Sequence, residues 1–273
     1  MAASETAPDI RHPAPEMPPT YPGRVLAVIP ALNEEASLRA LAKALEEALP
    51  GIDVLVVNDG SRDGTAPLAR SLGFAVADLP HNTGVGCAMQ TGFQYAVARG
   101  YDAVLRLDAD GQHPPAEAAK LFAKFRETGA DLVVGSRYLD ENGRVSSRIR
   151  SAASRFLAWF IGAICRTRVT DPTSGFWLVS SPLLDSFARD FPTDYPEPEA
   201  IAILHRQGYS FAEAAVSFRT RNHGRSSIGS LDALYFMVKV IIALVADRVR
   251  RLDRHDERRH VVRAIQLYGR GNF

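Results

Sequence analysis

The chain has 273 residues, 46% hydrophobic and 23% charged, the proportions of an ordinary globular protein, and is long enough to bury roughly 70–75% of its unfolded surface. Its 32 basic and 31 acidic residues leave a formal net charge of +1, which argues against a uniformly basic nucleic-acid binder. Two cysteines, Cys87 and Cys165, make neither a disulfide framework nor a zinc site and fit a reducing compartment.

No signal peptide and no spanning helix are expected, because the N-terminus lacks an apolar core and no run reaches about 18 apolar residues. Residues 1–22 hold six of the 17 prolines, so they are expected to be disordered and to stand outside the fold. From Arg24 the pattern turns periodic. Val25–Ile29 is a continuous apolar run closed by Pro30, which predicts a buried parallel strand. Glu34–Leu49 has helical spacing. Asp53–Val57 predicts a second strand, closed by the turn-rich Asn58–Gly64. A helix over Ala66–Leu72, a short strand over Phe74–Ala77 and a glycine-started helix over Gly84–Arg99 follow. Ala103–Leu107 is the next strand and runs into Asp108-Ala109-Asp110. Pro114–Thr128 predicts a helix with prolines in its first turn, and Asp131–Gly135 another strand.

Beyond this lie a basic segment at 140–155, an apolar helix at 156–164 and mixed short elements over 170–222. A strongly apolar helix at 231–252 and a charged stretch at 253–263 close the pattern. Strands alternating with helices predict an α/β fold with a mostly parallel sheet. Ligands of such sheets sit outside the carboxyl ends of the strands, which directs attention to the loops after residues 29, 57, 107 and 134.

Those loops carry polar groups that packing does not require. Asp59 and Asp63 each suit a turn held by carboxylate-to-backbone hydrogen bonds, and Asp108–Gly111 suits a turn too. Taken together, they point several strand ends into one crevice. Two carboxylates one residue apart at a strand terminus suit a hard divalent cation whose remaining ligands are phosphate, the pattern of Mg²⁺ or Mn²⁺, with Gln112 as a third oxygen. A P-loop is absent, as is the Gly-x-Gly-x-x-Gly of a dinucleotide site after the first strand. Gly84-Val85-Gly86 opens a helix whose free N–H groups suit phosphate. His81, His113 and His223 read as loop residues. Trp159 and Trp177 read as core or groove residues, with the core favoured.

Four blocks stand in order: Ile29-Pro30-Ala31-Leu32-Asn33-Glu34-Glu35, Val57-Asn58-Asp59-Gly60-Ser61-Arg62-Asp63-Gly64-Thr65, Asn82-Thr83-Gly84-Val85-Gly86 and Asp108-Ala109-Asp110-Gly111-Gln112-His113-Pro114-Pro115. With Gly135–Tyr138, Asp171–Phe176, Tyr195–Glu199 and Arg221–Ser226, they resemble family-2 glycosyltransferases of the dolichyl-phosphate mannosyltransferase type, which have a GT-A fold. The resemblance spans about residues 24–230. It implies a GT-A domain over 23–230 and a C-terminal amphipathic helix and charged tail over 231–273.

The resemblance also implies roles by position. Pro30, Ala31 and Glu34 would line the base and ribose pocket. Asp59 would accept a hydrogen bond from the base, Gly60 would admit the backbone, and Gly86 would lie at the donor phosphates. Asp108 and Asp110, with Gln112, would hold Mg²⁺ or Mn²⁺ on the diphosphate. Arg137 and Arg148 would sit near the acceptor or its phosphate, and Arg221 and Ser226 on a loop over the donor. Glu199, beside Glu197, falls where such enzymes often carry a general base. One departure is Ser227, where relatives often have lysine after Gly-x-Ser.

An inverting transfer from a UDP- or GDP-sugar follows from this resemblance. A phosphate acceptor is already anionic and needs arginines more than a base. Arg137, Arg144, Arg148 and Arg150 favour a polyprenyl phosphate acceptor over a glycan hydroxyl, which would need Glu199 as base. A nucleotide-sugar-binding protein without catalysis is a further reading, against which the intact Asp108/Asp110 pair argues. A nucleotidyltransferase would need a basic, glycine-rich triphosphate loop where Ala31–Glu34 stands. The apolar stretch Ala233–Ala246 is too short to span. Together with Arg248, Arg250, Arg251 and Arg254 it reads as a peripheral membrane contact through residues 233–254, or as a helix packed on the domain or in a homodimer. A cytoplasmic location, peripheral on the inner membrane face, is expected.

Overall fold

The structure, a computed structural model, describes residues 23–139 and 148–219, the backbone alone at 148–153, and the helical residues Lys239, Ile241 and Ile242. The proline-rich N-terminus, Arg144, Arg221, Ser226, His223 and nearly all of the expected C-terminal appendage lie outside the described residues.

Seven strands form one sheet: β1 (Val25–Ala31), β2 (Asp53–Asn58), β3 (Ala75–Asp78), β4 (Ala103–Arg106), β5 (Leu132–Ser136), β6 (Trp177–Ser180) and β7 (Phe211–Ala215). Their order is β3-β2-β1-β4-β6-β5-β7. Every pairing is parallel except those of β6, which runs against both β4 and β5. β1 to β3 are apolar runs because helices cover both faces of this part of the sheet.

Helices α3 (Val85–Ala98), α5 (Arg148–Cys165), α6 (Ser181–Arg189) and α7 (Pro196–Gln207) pack on one face. Helices α1 (Glu35–Ala48), α2 (Thr65–Ser71) and α4 (Ala118–Thr128) cover the other. Alternation along each strand feeds both cores: Leu26 and Val28 face one layer, Val25, Ala27 and Ile29 the other. Between α3 and α6 the rings of Phe93, Phe187 and Phe191 meet with centroids 4.9 to 5.4 Å apart, which adds specific ring contacts to plain area burial.

The strand–helix alternation read from the sequence is present, with boundaries moved by a residue or two. The helix expected from Pro114 is instead a 3-10 turn at Pro115–Glu117 followed by α4, with proline in the first turn, where its missing N–H costs nothing. The apolar stretch 156–164 belongs to the longer α5, whose first turn takes in the end of the basic segment. Trp177 is fully buried, as expected of a core residue, but Trp159 is 66% exposed on α5, beside the 45% exposed Phe156. No helix among the described residues is long and apolar enough to cross a membrane.

Gly86, expected at the donor phosphates, has a packing reason of its own. It is buried, and a Cβ there would lie 2.3 Å from the Pro192 carbonyl oxygen. The start of α3 is therefore pressed against the loop between α6 and α7. Gly86→Ala is expected to lower stability by about 1–3 kcal/mol, the usual cost of overpacking, measured by urea denaturation. An unchanged midpoint would show that this loop yields freely.

Candidate functional site

β1 and β4 lie side by side and parallel, and the chain goes on from them toward opposite edges of the sheet, to β2 and to β5, so their carboxyl ends share one crevice. The loop after β1 is stitched to the loop after β2. Asn33 adopts a left-handed φ of 56°; its Oδ1 accepts from Arg62 N at 2.8 Å, and its own N–H donates to Ser61 Oγ at 2.9 Å. Glu34 N donates to Thr65 Oγ1, and Glu34 Oε2 accepts from Ser37 Oγ. Ala31 is buried, and its carbonyl accepts from Asp59 N, while Pro30 is half-buried.

Asp63 is the turn carboxylate expected from its spacing. It accepts from Thr65 N and Oγ1 and from Glu35 N. Partial burial raises its pKa, but these hydrogen bonds outweigh that and leave it below the usual carboxylate range. Asp59 is buried and accepts from Thr83 N at 2.7 Å, Thr83 Oγ1 at 2.8 Å and Gly84 N at 2.9 Å. It therefore pins the approach to α3, and its oxygens keep lone pairs for a further donor. Gly60 has φ 72°, and a Cβ there would meet the backbone of His81 at 2.6 Å, so only glycine allows these loops to close together.

β4 stops at Arg106, and Asp108 and Asp110 follow at the rim. The Asp108 side chain is 34% exposed, whereas Asp110 is buried. Asp110 Oδ1 accepts from Gln112 N at 2.9 Å, and Oδ2 from Gln112 Nε2. Gln112 thus props Asp110 as a donor. The amide NH₂ of Gln112 faces the Asp110 carboxylate. Among the described residues no three His, Cys, Asp or Glu side chains form a metal cage. The donor set fits Mg²⁺ or Mn²⁺ all the same: two carboxylates leave most positions for phosphate and water, as such ions prefer.

Sequence reasoning missed three residues here. His113 lies in a loop, as expected, yet is buried, stacked on Phe176 at 5.2 Å and edge-on to Phe218 at 4.7 Å. Its Nδ1 accepts from Asp108 N at 3.0 Å, which leaves the proton on Nε2, 3.7 Å from Asp108 Oδ2. Burial pushes the imidazole below its ordinary value despite the nearby carboxylates, so it stays neutral. Arg106 is the second, a buried cation bonded to Glu197; its signal was a charge in an apolar strand. Asp171 is the third. It was visible only as part of a quoted block.

The reversed β6 brings residues 170–176 to the same edge. Fully buried Asp171 takes Arg137 in a fork, Nε to Oδ2 and Nη2 to Oδ1, each at 2.7 Å. Thr173 accepts a further N–H from Arg137. Burial alone would lower the Arg137 pKa, but the Asp171 carboxylate outweighs it and raises the value. Arg137, expected near the acceptor, is thus held in a fixed orientation by a buried carboxylate. Glu213 on β7 supports this pair from behind, accepting from Thr170 N and Oγ1 and from Asp171 N, all at 2.9 Å. Glu197 and Glu199 both lie in the first turn of α7. Two residues apart on a helix, they do not share a face, and it is Glu197 whose carboxylate reaches Arg106. Arg148 opens α5.

An α/β sheet with acidic residues at its carboxyl edge and helices on both faces is the architecture of GT-A enzymes, and sequence comparison agrees. Residues 26–186 match the family model described as Glycosyl transferase family 2. The chain is 30% identical over 234 residues to polyprenol monophosphomannose synthase of Mycolicibacterium smegmatis, covering 80% of this chain and 85% of that protein. It is 32% identical over 212 residues to undecaprenyl-phosphate mannosyltransferase of Micrococcus luteus, covering 74% and 79%. Glucosyl-3-phosphoglycerate synthase of Mycobacterium tuberculosis, solved with Mn²⁺, UDP and glucosyl-3-phosphoglycerate, shares the fold at a TM-score of 0.63 and 24% identity, over 83% of this chain and 80% of that one. The chain belongs to glycosyl transferase family 2 and is a glycosyltransferase of GT-A fold.

Burial raises the carboxyl pKa of Glu213 above its ordinary range in spite of its hydrogen bonds. A value higher in the folded than in the unfolded chain gives a contribution that is complete below about pH 4.3, the unfolded value, and is lost as pH rises through the folded one. Glu213→Gln removes that dependence. Its stability relative to wild type, from urea titrations, is expected to rise between about pH 4 and pH 7. A difference independent of pH would refute the assignment.

Proposed function

We propose that this glycosyltransferase moves a hexose, with inversion, from a UDP- or GDP-linked donor to a polyprenyl phosphate. The observation that carries the reading is the Asp108–Asp110 pair at the crevice of a chain whose curated relatives are named for mannosyl transfer to polyprenyl phosphates. The base and ribose would lie on the stitched loops of Pro30, Ala31 and Glu34, with Asp59 and Gly60 beneath. Asp108 and Asp110 would hold Mg²⁺ or Mn²⁺, which when bound neutralises the charge developing on the leaving diphosphate.

The rest falls to the chain's own residues. Gln112 holds Asp110 in place, and neutral His113 holds the Asp108 backbone. Each strand-end group is aimed in advance, so little reorganisation remains for the reaction. A phosphate acceptor brings its own negative charge, which Arg148 at the opening of α5 and Arg137 would draw in, while Arg221 and Ser226 would lie over the donor. Glu199 has no proton to remove from such an acceptor.

The acceptor is a membrane lipid, which supports a peripheral placement. Exposed Phe156 and Trp159 lie on α5 close to exposed Arg155, the amphipathic pairing that favours an anionic bilayer interface.

Thermal shift with UDP and GDP, each with and without Mn²⁺, tests the donor: a ligand at about a hundredfold its Kd stabilises by about 2.7 kcal/mol. One nucleotide is expected to raise the melting temperature in a Mn²⁺-dependent way, and Asp110→Asn to lose that part. With polyprenyl phosphate as acceptor, Glu199→Gln is expected to keep turnover and Arg148→Ala to lose at least about tenfold, in line with a lost charge-assisted contact. Wild-type turnover with a glycan hydroxyl but not with polyprenyl phosphate, lost in Glu199→Gln, would point instead to a hydroxyl acceptor with Glu199 as base. In flotation with anionic vesicles, Trp159→Ala is expected to leave more protein unbound. Equal flotation would remove α5 from the membrane contact.

A further inference from the structure

We propose that Arg106 is a positioning residue. One buried guanidinium nitrogen holds Glu197, in the first turn of α7, in register with Asp108 at the end of β4. The inference rests on the reading of this edge as the donor site.

Arg106 stands opposite Trp177 in the pairing of β4 with β6 and is 2% exposed. Its Nη2 meets Glu197 Oε1 at 2.6 Å and lies 3.7 Å from Asp108 Oδ1. The guanidinium carbon sits 4.9 Å from the centre of the Trp177 ring. A Cβ on Gly175 would come within 2.8 Å of Nη2, so the glycine makes room for the cation. Nε and Nη1 are buried without a hydrogen-bond partner.

Packing alone does not favour such a residue. Apolar side chains of similar volume often serve as well as a buried ion pair, or better, and two orphaned N–H groups add to the cost. The charge is permanent: burial opposes it, but Glu197 and Asp108 together raise the guanidinium pKa. A methionine could fill the space. It could not hold two like-charged carboxylates from different elements against the same nitrogen. Without that bridge nothing ties the start of α7 to the strand end, and it drifts. Displacements of about 1 Å at such a point cost on the order of a hundredfold in rate.

The test compares Arg106→Met, Arg106→Lys and the double variant Arg106→Met/Glu197→Met in melting temperature and in kcat and KM for the donor. The double variant removes both charges, so it is expected to melt at or above the wild-type temperature. Its kcat is expected to stay down by about tenfold or more with donor KM within about threefold, the split of a group that acts in the transition state. Arg106→Lys, which keeps the charge without the fork, is expected to regain part of what Arg106→Met loses. Wild-type kcat in a double variant of normal melting temperature would overturn the inference, and so would a double variant that melts far below wild type, since the charge would then serve the fold. A wild-type protein that turns over neither UDP- nor GDP-sugars would instead overturn the donor-site reading beneath it.

Discussion

β4 ends between a parallel neighbour, β1, and an antiparallel one, β6, and the site follows from where that strand stops. The parallel pairing aligns its carboxyl end with the loops after β1 and β2. The antiparallel pairing makes β6 begin where β4 ends, so Asp171 and Thr173 arrive at the same rim. Had β6 run parallel, those residues would stand at the opposite edge, and Arg137 would have no fork to enter. One reversed strand therefore joins the acids after β4 to the polar groups after β5.

Around that rim the polar side chains work as props. Gln112 braces Asp110, His113 braces the Asp108 backbone, and Glu213 braces the loop of Asp171, which in turn takes Arg137. Buried polar groups are costly unless satisfied, and satisfied networks hold a single geometry. Such rigidity suits chemistry that depends on fixed dipoles and charges rather than on a covalent step by the protein. The glycines at 60, 86 and 175 serve the same end from the other side, because each lets backbone or guanidinium come closer than a methyl group would allow.

Much of the acidic strand-end rim was legible without coordinates. Asp59, Asp63, Asp108 and Asp110 stand in the loops that follow apolar runs, so spacing flags them; Asp63 and Asp110 bond their own turns, whereas Asp59 reaches Thr83 and Gly84 across the rim. The second half was not. Arg106 reads as an oddity in a strand until the sheet order sets it beside Trp177 and under α7. His113 reads as a loop residue until Phe176 and Phe218, over sixty residues away in sequence, close on it. Glu197 and Glu199 read as equivalent until the helix turns one of them toward Arg106.

The sequence by itself determined the strand–helix alternation and the acidic strand ends, because these rest on short-range periodicity and on adjacent residues, and its ordered motifs carried the resemblance to a glycosyltransferase family. Only the tertiary structure decided which charges meet. It set Arg137 against Asp171, Arg106 between Glu197 and Asp108, and Trp159 in solvent, since contacts of that kind depend on strand order and helix rotation. No pattern along the chain encodes those two quantities locally.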